Sequence, residues 1–412
     1  MKCTPFAFIL AFVLTAFFGV YGAVHASEND AIAISNNIQR RHLPHGVILD
    51  PVFASPDSDQ ITGYAHGGDS AIWTGHYLAA EAFRYRGAGS PEALENVKKA
   101  VAGIRSLVDV TGTNLLARCL IPVDWQYRQA IIDEENRHGI YRNTLNGREY
   151  FWIGNTSRDQ YSGVFFGLGV AYDMVENAEV RNEISLLVTR LLDFLLDHGW
   201  NVVMPSGQIS TTFAGHPDQR LSFLIVGRQV NSRRFGSEYS VHRFFNYSTV
   251  GTGVLFDLLD DHTSYFKFNL DTINLYNLIR LEGNSFYRSR YLNVYSVLRR
   301  TTDDHGNAHF NMIDHALKGA DSRRDAETRE LLQQWLARPR RDLWRDWRGD
   351  ARYPACGDDR ACNPIPIADR INTDFLWQRS PFLLFGGGAG TIETAGIDYI
   401  LPYWMARYYG VI

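Results

Sequence analysis

Residues 63–77 read GYAHGGDSAIWTGHY, with two glycines, a histidine and an aspartate leading into what looks like the first turns of a helix. On such a helix Asp69, Trp73 and His76 fall at i, i+4 and i+7 and share one face. A carboxylate at the edge of an aromatic platform suits sugar chemistry, with His66 at the rim as a further polar contact. The plainer reading is that Asp69 is a first-turn acid favoured by the helix dipole. NTSRDQYSG (155–163) has the same form, with Arg158, Asp159 and Tyr161 at a helix start and Gly163 and Gly167 further along. Glycines inside a helix cost about 1 kcal/mol each, so they serve either close packing or room for a ligand.

Three other stretches hold candidate groups. DDHGNAHFNMIDH (303–315) is the densest polar run. His305 and His309 could join Asp304 or Asp314 around a metal, but Gly306 and Asn307 break the common face, and no metal is expected. His309 as a base and Asn311 as a sugar hydrogen-bond donor fit better. HPDQR (216–220) adds His216, Asp218, Gln219 and Arg220 at another helix start. DFLWQRSPF (374–382) places Asp374, Trp377 and Arg379 in a loop. An arginine beside a tryptophan suits a carboxylated sugar; a salt bridge to Asp374 is the alternative. GGGAG (386–390) lacks the G-K-[ST] of a phosphate loop and reads as a hinge before Glu393. No G-x-S-x-G, H-E-x-x-H or G-x-G-x-x-G is present, which weakens serine-hydrolase, zincin and dinucleotide-binding readings.

These residues need helices to hold them. Periodicity and caps predict helices over 69–87, 90–112, 157–177, 179–199, 217–231, 234–246, 250–261, 268–283, 285–300, 308–319, 321–337 and 393–409. Ser90 with Pro91 reads as an N-cap, and Ser157 with Gln160 has capping-box spacing. Only 148–154 and 200–210 read as strands. Helices rich in Gly, Ala and aromatics on all sides (69–85, 159–175, 308–318, 394–408) alternate with helices that carry a charged stripe (91–109, 180–197, 321–337). The first kind belongs inside and the second faces water. The expected class is all-α: an (α/α)6 toroid of inner and outer helices with minor β-hairpins in loops. Its inner N-termini would gather at one mouth. Over roughly 62–410 the chain resembles, in architecture only, the (α/α)6-barrel superfamily of six-hairpin glycosidases, polysaccharide lyases and sugar epimerases.

The ends and composition add bounds. Residues 1–26 carry one lysine, a long apolar run and Val24-His25-Ala26, the pattern of a cleaved signal peptide, so a secreted or periplasmic protein is expected. Residues 27–61 read as an N-terminal extension and 62–412 as the catalytic domain, with long excursions at 113–156 and 338–392. The net charge of −4, without basic blocks, argues against nucleic acid. Export makes a Cys356–Cys362 disulfide plausible, and Cys119 reads as buried. Aromatic residues reach 13%, enough to furnish an apolar cleft with polar tips as well as a core.

The reading that joins these observations is an exported glycoside hydrolase without cofactor, acting on an oligo- or polysaccharide. Asp69 and Asp159 form the acid/base pair, and Asp314 and Glu393 are substitutes. Trp73, Trp152 and Trp377 serve as sugar platforms. A uronate lyase, using Arg158, Arg379, His309, Tyr161 and Asn311, is the alternative. A non-catalytic glycan-binding protein and an isomerase or dehydratase of a small molecule are the others.

Overall fold

A computed structural model describes residues 26–259 and 264–412. The expected signal peptide lies outside the described residues except for Ala26. The helices are α1 (Glu28–Asn37), α2 (Ser70–Ala88), α3 (Pro91–Asp109), α4 (Arg128–Glu135), α5 (Arg158–Met174), α6 (Ala178–Asp197) and α7 (Pro217–Val230). They continue as α8 (Ser232–Asn246), α9 (Gly251–Leu258), α10 (Phe266–Leu281), α11 (Phe286–Thr301), α12 (Ala308–Lys318), α13 (Ser322–Leu336) and α14 (Ile397–Tyr408). The strands are β1 (Asp50–Phe53), β2 (Ile61–Ala65), β3 (Cys119–Pro122), β4 (Ile140–Leu145), β5 (Arg148–Ile153), β6 (Asn201–Val203), β7 (Ile209–Thr212), β8 (Arg341–Asp346) and β9 (Phe385–Glu393).

The chain is therefore not the all-α toroid that its periodicity suggests. Helix accounts for 56% and strand for 13% of it, and the strands form three antiparallel sheets, making a mixed α/β protein in which helices dominate. The largest sheet has the order β2-β1-β9-β8 and joins the N-terminal extension to the 338–392 excursion. The second, β3-β5-β4, is built by the 113–156 excursion. Sequence pattern misses the large sheet because β1 meets β9 at Val52 and Ile392, far apart in the chain. The glycines of β9 also erase any alternation. They are needed: a Cβ on Gly387 would lie 2.3 Å from the Leu343 carbonyl oxygen, at a φ of +123°. The expected hinge at 386–390 is thus the bulged interior of a strand. Beside this sheet, Cys356 and Cys362 form a disulfide, and Cys119 is buried and free.

The helices that are buried nearly all round are α2, α5, α7, α10, α12 and α14. α2 packs on α5 and α14, α7 and α12 pack on α10, α14 packs on α12, and α5 reaches α10 as well as α7. The amphipathic helices α3, α6, α8, α11 and α13 cover them. Ser90 caps α3 through the Ala93 amide, with Pro91 first in the helix. Among the described residues no helix is long and apolar enough to cross a membrane.

The closest approach is between α2 and α5. A Cβ on Gly75 would stand 2.1 Å from the Gly163 carbonyl oxygen, and one on Gly167 would stand 2.2 Å from that of Gly75. The glycines after Asp159 therefore serve packing. Replacing Gly75 with alanine must push the two backbones apart, an overpacking cost of about 1–3 kcal/mol. The expected result is a lower urea midpoint at unchanged m; an unchanged midpoint would mean that the contact is looser than described.

Candidate active site

The α2–α5 contact sets the beginnings of the two helices side by side. Asp69 ends a short 3-10 turn, Gly67–Asp69, directly before α2. Its carboxylate makes no cap hydrogen bond to its own helix. It accepts instead from Gln160 Nε2 on α5 at 2.9 Å, while Gln160 Oε1 accepts from the Ile72 amide at 2.9 Å. The expected capping box between Ser157 and Gln160 does not form, because Gln160 is used across the helix pair. Arg118 Nη1 lies 3.8 Å from Asp69. The guanidinium is fixed by the carbonyls of Gly68 and Asn155 at 2.9 and 3.0 Å.

Asp159, adjacent to Gln160, is pushed up to about 6 by burial and then by the charge of Asp69, against the pull of Arg118 and Arg158. A third carboxyl comes from the loop before β9. Asp374 is raised to about 7, chiefly by burial and further by Asp69, while His66 opposes the rise. Its place is set by its own carboxylate accepting from the Phe375 amide at 2.8 Å and by Leu376, whose amide donates to Asp398 on α14 at 2.9 Å. Asp69, Asp159 and Asp374 thus form one electrostatic cluster in which Asp69 acts on the other two, and 41% of the Asp69 side chain is exposed.

His66 stands at the edge of this cluster. Burial works against its charge, but the hydrogen bond and charge of Asp50, with Asp374 and Glu134 behind them, raise it to about 10. On the other side Arg158 has no hydrogen bond or ion pair among the described residues. It acts at a distance on Asp159 and on the buried Asp218 and Asp271. Burial raises both of those carboxyls, and the charge of Asp218 raises Asp271 further. Asp218 Oδ1 and Asp271 Oδ2 have no hydrogen-bond partner among the described residues. Through these electrostatic contacts the first turns of α2, α5 and α7 lie near one another, with Asp271 from further along α10.

Beneath the carboxyls the aromatic residues are packed as core. Trp73 is 4% exposed, and Trp377, His76 and His309 are fully buried. His76 stacks on Trp377 at 5.3 Å, and His309 lies 5.0 Å from the same ring. Burial lowers His76 to about 4, with Nδ1 bonded to the Ile72 carbonyl and Nε2 beside the Asn269 amide. Burial also holds His309 well below its ordinary value, so it is neutral. These four rings pack against one another as core.

Other candidates lie elsewhere. Trp152 is buried in the second sheet, stacked on Tyr141 at 4.3 Å. Tyr161 is buried, and its hydroxyl accepts from the Leu116 amide at 3.3 Å. Asn311 is tied to Arg299 and Glu327, and Asp314 to Lys318 and Arg324, in a network among α11, α12 and α13. Glu393 is in the large sheet with Asn37 and His42 and is held at about 2 despite its burial. Arg379 is exposed within electrostatic reach of Asp374. The structure thus brings Asp69, Asp159, His66 and Arg158 within electrostatic reach of one cluster, packs Trp73, His76, His309 and Trp377 together as core, leaves Arg379 near Asp374, and engages Trp152, Tyr161, Asn311, Asp314 and Glu393 in other contacts. Asp50, Arg118 and Asp271 carried no local signal, since a strand end, an irregular segment and a mid-helix acid have no motif. Among the described residues no group of three or more His, Cys, Asp or Glu is arranged to hold a metal ion. No protein-family model, curated protein or solved structure matches the chain.

The raised Asp159 carboxyl has a stability consequence. Its folded pKa lies above the ordinary value, so the fold loses stability through this group as pH rises from about 4 to about 6. Asp159→Asn removes that loss. The variant is expected to match the wild type at pH 3.5 and to exceed it by about 1–3 kcal/mol above pH 6.5. Urea denaturation at the two pH values checks this, and a variant less stable at pH 7 would contradict the assignment.

Proposed function

We propose that the mouth formed by Asp69, Asp159 and Asp374 is the active site of an acid–base enzyme, and that its reaction is hydrolysis of a glycosidic bond. One observation carries the reading: a carboxyl held protonated to about 6 neighbours a partly open carboxylate on the adjoining helix. Glycoside hydrolysis requires one carboxyl that holds a proton and a second carboxyl beside it, and Asp159 with Asp69 offers that arrangement. Asp159 would give its proton to the glycosidic oxygen as the C–O bond breaks. Asp69, oriented by Gln160, would take the proton of the attacking water or form the bond to the anomeric carbon itself. Asp374 is the second acid within the cluster. No cofactor enters this scheme. The substrate is an oligo- or polysaccharide.

A second reading is supported by Arg158, which has no hydrogen bond or ion pair among the described residues, and by the cationic His66. Both suit a substrate carboxylate, as in elimination from a uronate. The first test is a screen of the full chain against a polysaccharide panel, following reducing ends and ultraviolet absorbance together. Reducing ends without absorbance are expected, with activity falling as pH rises through about 6 because Asp159 must hold its proton. Asp159→Asn should lower kcat by about 10²–10⁴-fold. New absorbance would move the chemistry to elimination. Silence on every glycan would sink both enzymatic readings and leave glycan binding without turnover, or small-molecule isomerisation or dehydration, to be tested.

A further inference from the structure

Glu393, His42, Asp50 and His66 form a line of alternating carboxylates and imidazoles. Its inner end is Glu393 in β9, whose Oε1 is 3.4 Å from His42 Nε2. His42 is fully buried; its Nδ1 is 3.1 Å from the Leu49 carbonyl oxygen and 3.5 Å from Asp50 Oδ1. Asp50, 7% exposed at the start of β1, turns its other oxygen to His66 Nδ1 at 2.9 Å. His66 is the outer end. Its backbone adopts a left-handed φ of 62°, uncommon for a residue other than glycine. Its amide donates to Glu134 Oε2 at 2.9 Å. A non-glycine residue held in this region persists only where its surroundings fix it, and such residues cluster at functional sites. With Nδ1 engaged, Nε2 has no hydrogen-bond partner among the described residues, and 37% of the side chain is open.

We propose that His66 is a cationic hydrogen-bond donor that meets a substrate oxygen at the mouth, and that Asp50, His42 and Glu393 are positioning residues that fix its charge and ring. The proposal rests on the reading of the mouth as a catalytic site. Its physical basis is the alternation of charge. Burial disfavours both imidazoliums, yet the carboxylates outweigh it and both histidines are raised. His66 is faced by Asp50 from β1, Glu134 from α4 and Asp374 from the loop before β9. His42 is faced by Asp50 and Glu393, and Arg340 acts on both of those carboxylates. His42 already donates Nδ1–H to the Leu49 carbonyl, so a neutral ring would turn an Nε2 lone pair on Glu393. The carboxylate therefore holds the second proton on His42, and the charged His42 in turn takes up part of the field of Asp50.

That arrangement gives responses of opposite sign at two positions, which mere support of the fold would not. The test is a pH titration from 5 to 10 of the histidine ring carbons by two-dimensional NMR, on the full chain and on Asp50→Asn and Glu393→Gln. In the wild type His66 is expected to remain an imidazolium at pH 8. Asp50→Asn should lower its midpoint by one unit or more. Glu393→Gln should render His42 neutral at pH 7 while the His66 midpoint holds or rises, since Asp50 then acts on His66 alone. A neutral His66 at pH 7 in the wild type, or equal falls in both variants, overturns the chain. The contact role is read from His66→Gln on the polysaccharide that the wild type turns over, with a loss of tenfold or more in kcat/KM expected. Unchanged kcat/KM with the NMR responses intact overturns the donor role and leaves the Asp159 assignment standing. Absence of turnover in the wild type removes the catalytic reading and the contact role with it, while the NMR result still decides the chain. If Asp50→Asn does not fold, Glu393→Gln and His66→Gln carry the same decision.

Discussion

The contact of α2 with α5 is the constraint on which the rest of the site depends. Three glycines, Gly75, Gly163 and Gly167, let the two backbones touch where any side chain would hold them apart. Only at that spacing can Gln160 span from α5 to both the Asp69 carboxylate and the Ile72 amide. Only at that spacing does the charge of Asp69 bear on Asp159 strongly enough to add to the effect of burial. A helix interior glycine costs about 1 kcal/mol relative to alanine. The packing of two nearly all-buried helices offsets that cost, and the acid pair is its chemical product.

Around this pair the protein gathers more like charge than a stable surface would tolerate. The charge of Asp69 acts on both Asp159 and Asp374, and burial with that charge raises both carboxyls. Arg118 and His66 moderate the field from one side and Arg158 from another. Asp218 and Asp271 repeat the same logic one helix further on, deeper and without a hydrogen-bond partner among the described residues for one oxygen each. Structural carboxylates look different. Glu393 and Asp303 are held below their ordinary values by basic neighbours, and Asp314 is paired with Lys318 and Arg324. The raised, underpartnered acids at one end of the buried helices contrast with the paired acids elsewhere, and that contrast is what makes the former the candidate site.

The aromatic residues were the part of the site whose role depended most on depth. Trp73, His76 and Trp377 share the helix face and the loop that spacing assigned to them, yet they are buried to 4% or less and pack on one another. Helical periodicity states which side of a helix a residue occupies. It does not state how far below the rim that side lies, because depth depends on the loop at 374–377, which closes over α2. Trp152 shows the same limit in a strand: its neighbour Tyr141 comes from a different strand, and the stacked pair is core.

The sequence by itself determined most of the helices outside the N-terminal extension and the 113–156 excursion, the alternation of buried and amphipathic types in several of them, and the region where Asp69, Arg158 and Asp159 meet. Those features follow from residues three or four apart, and local spacing is what a chain displays. Tertiary structure decided what depends on residues far apart. It paired β1 with β9 and thereby replaced an all-α class with a mixed one, and it drew Gln160 away from its cap. It also brought Asp50, Arg118 and Asp374 to the mouth from three separate segments while sending Glu393, Asn311, Asp314 and Trp152 elsewhere. A strand whose interior is glycine has no alternation to read, and a carboxyl whose partner is dozens or hundreds of residues away has no local pattern. For such groups, burial and neighbouring charge exist only once the chain has folded.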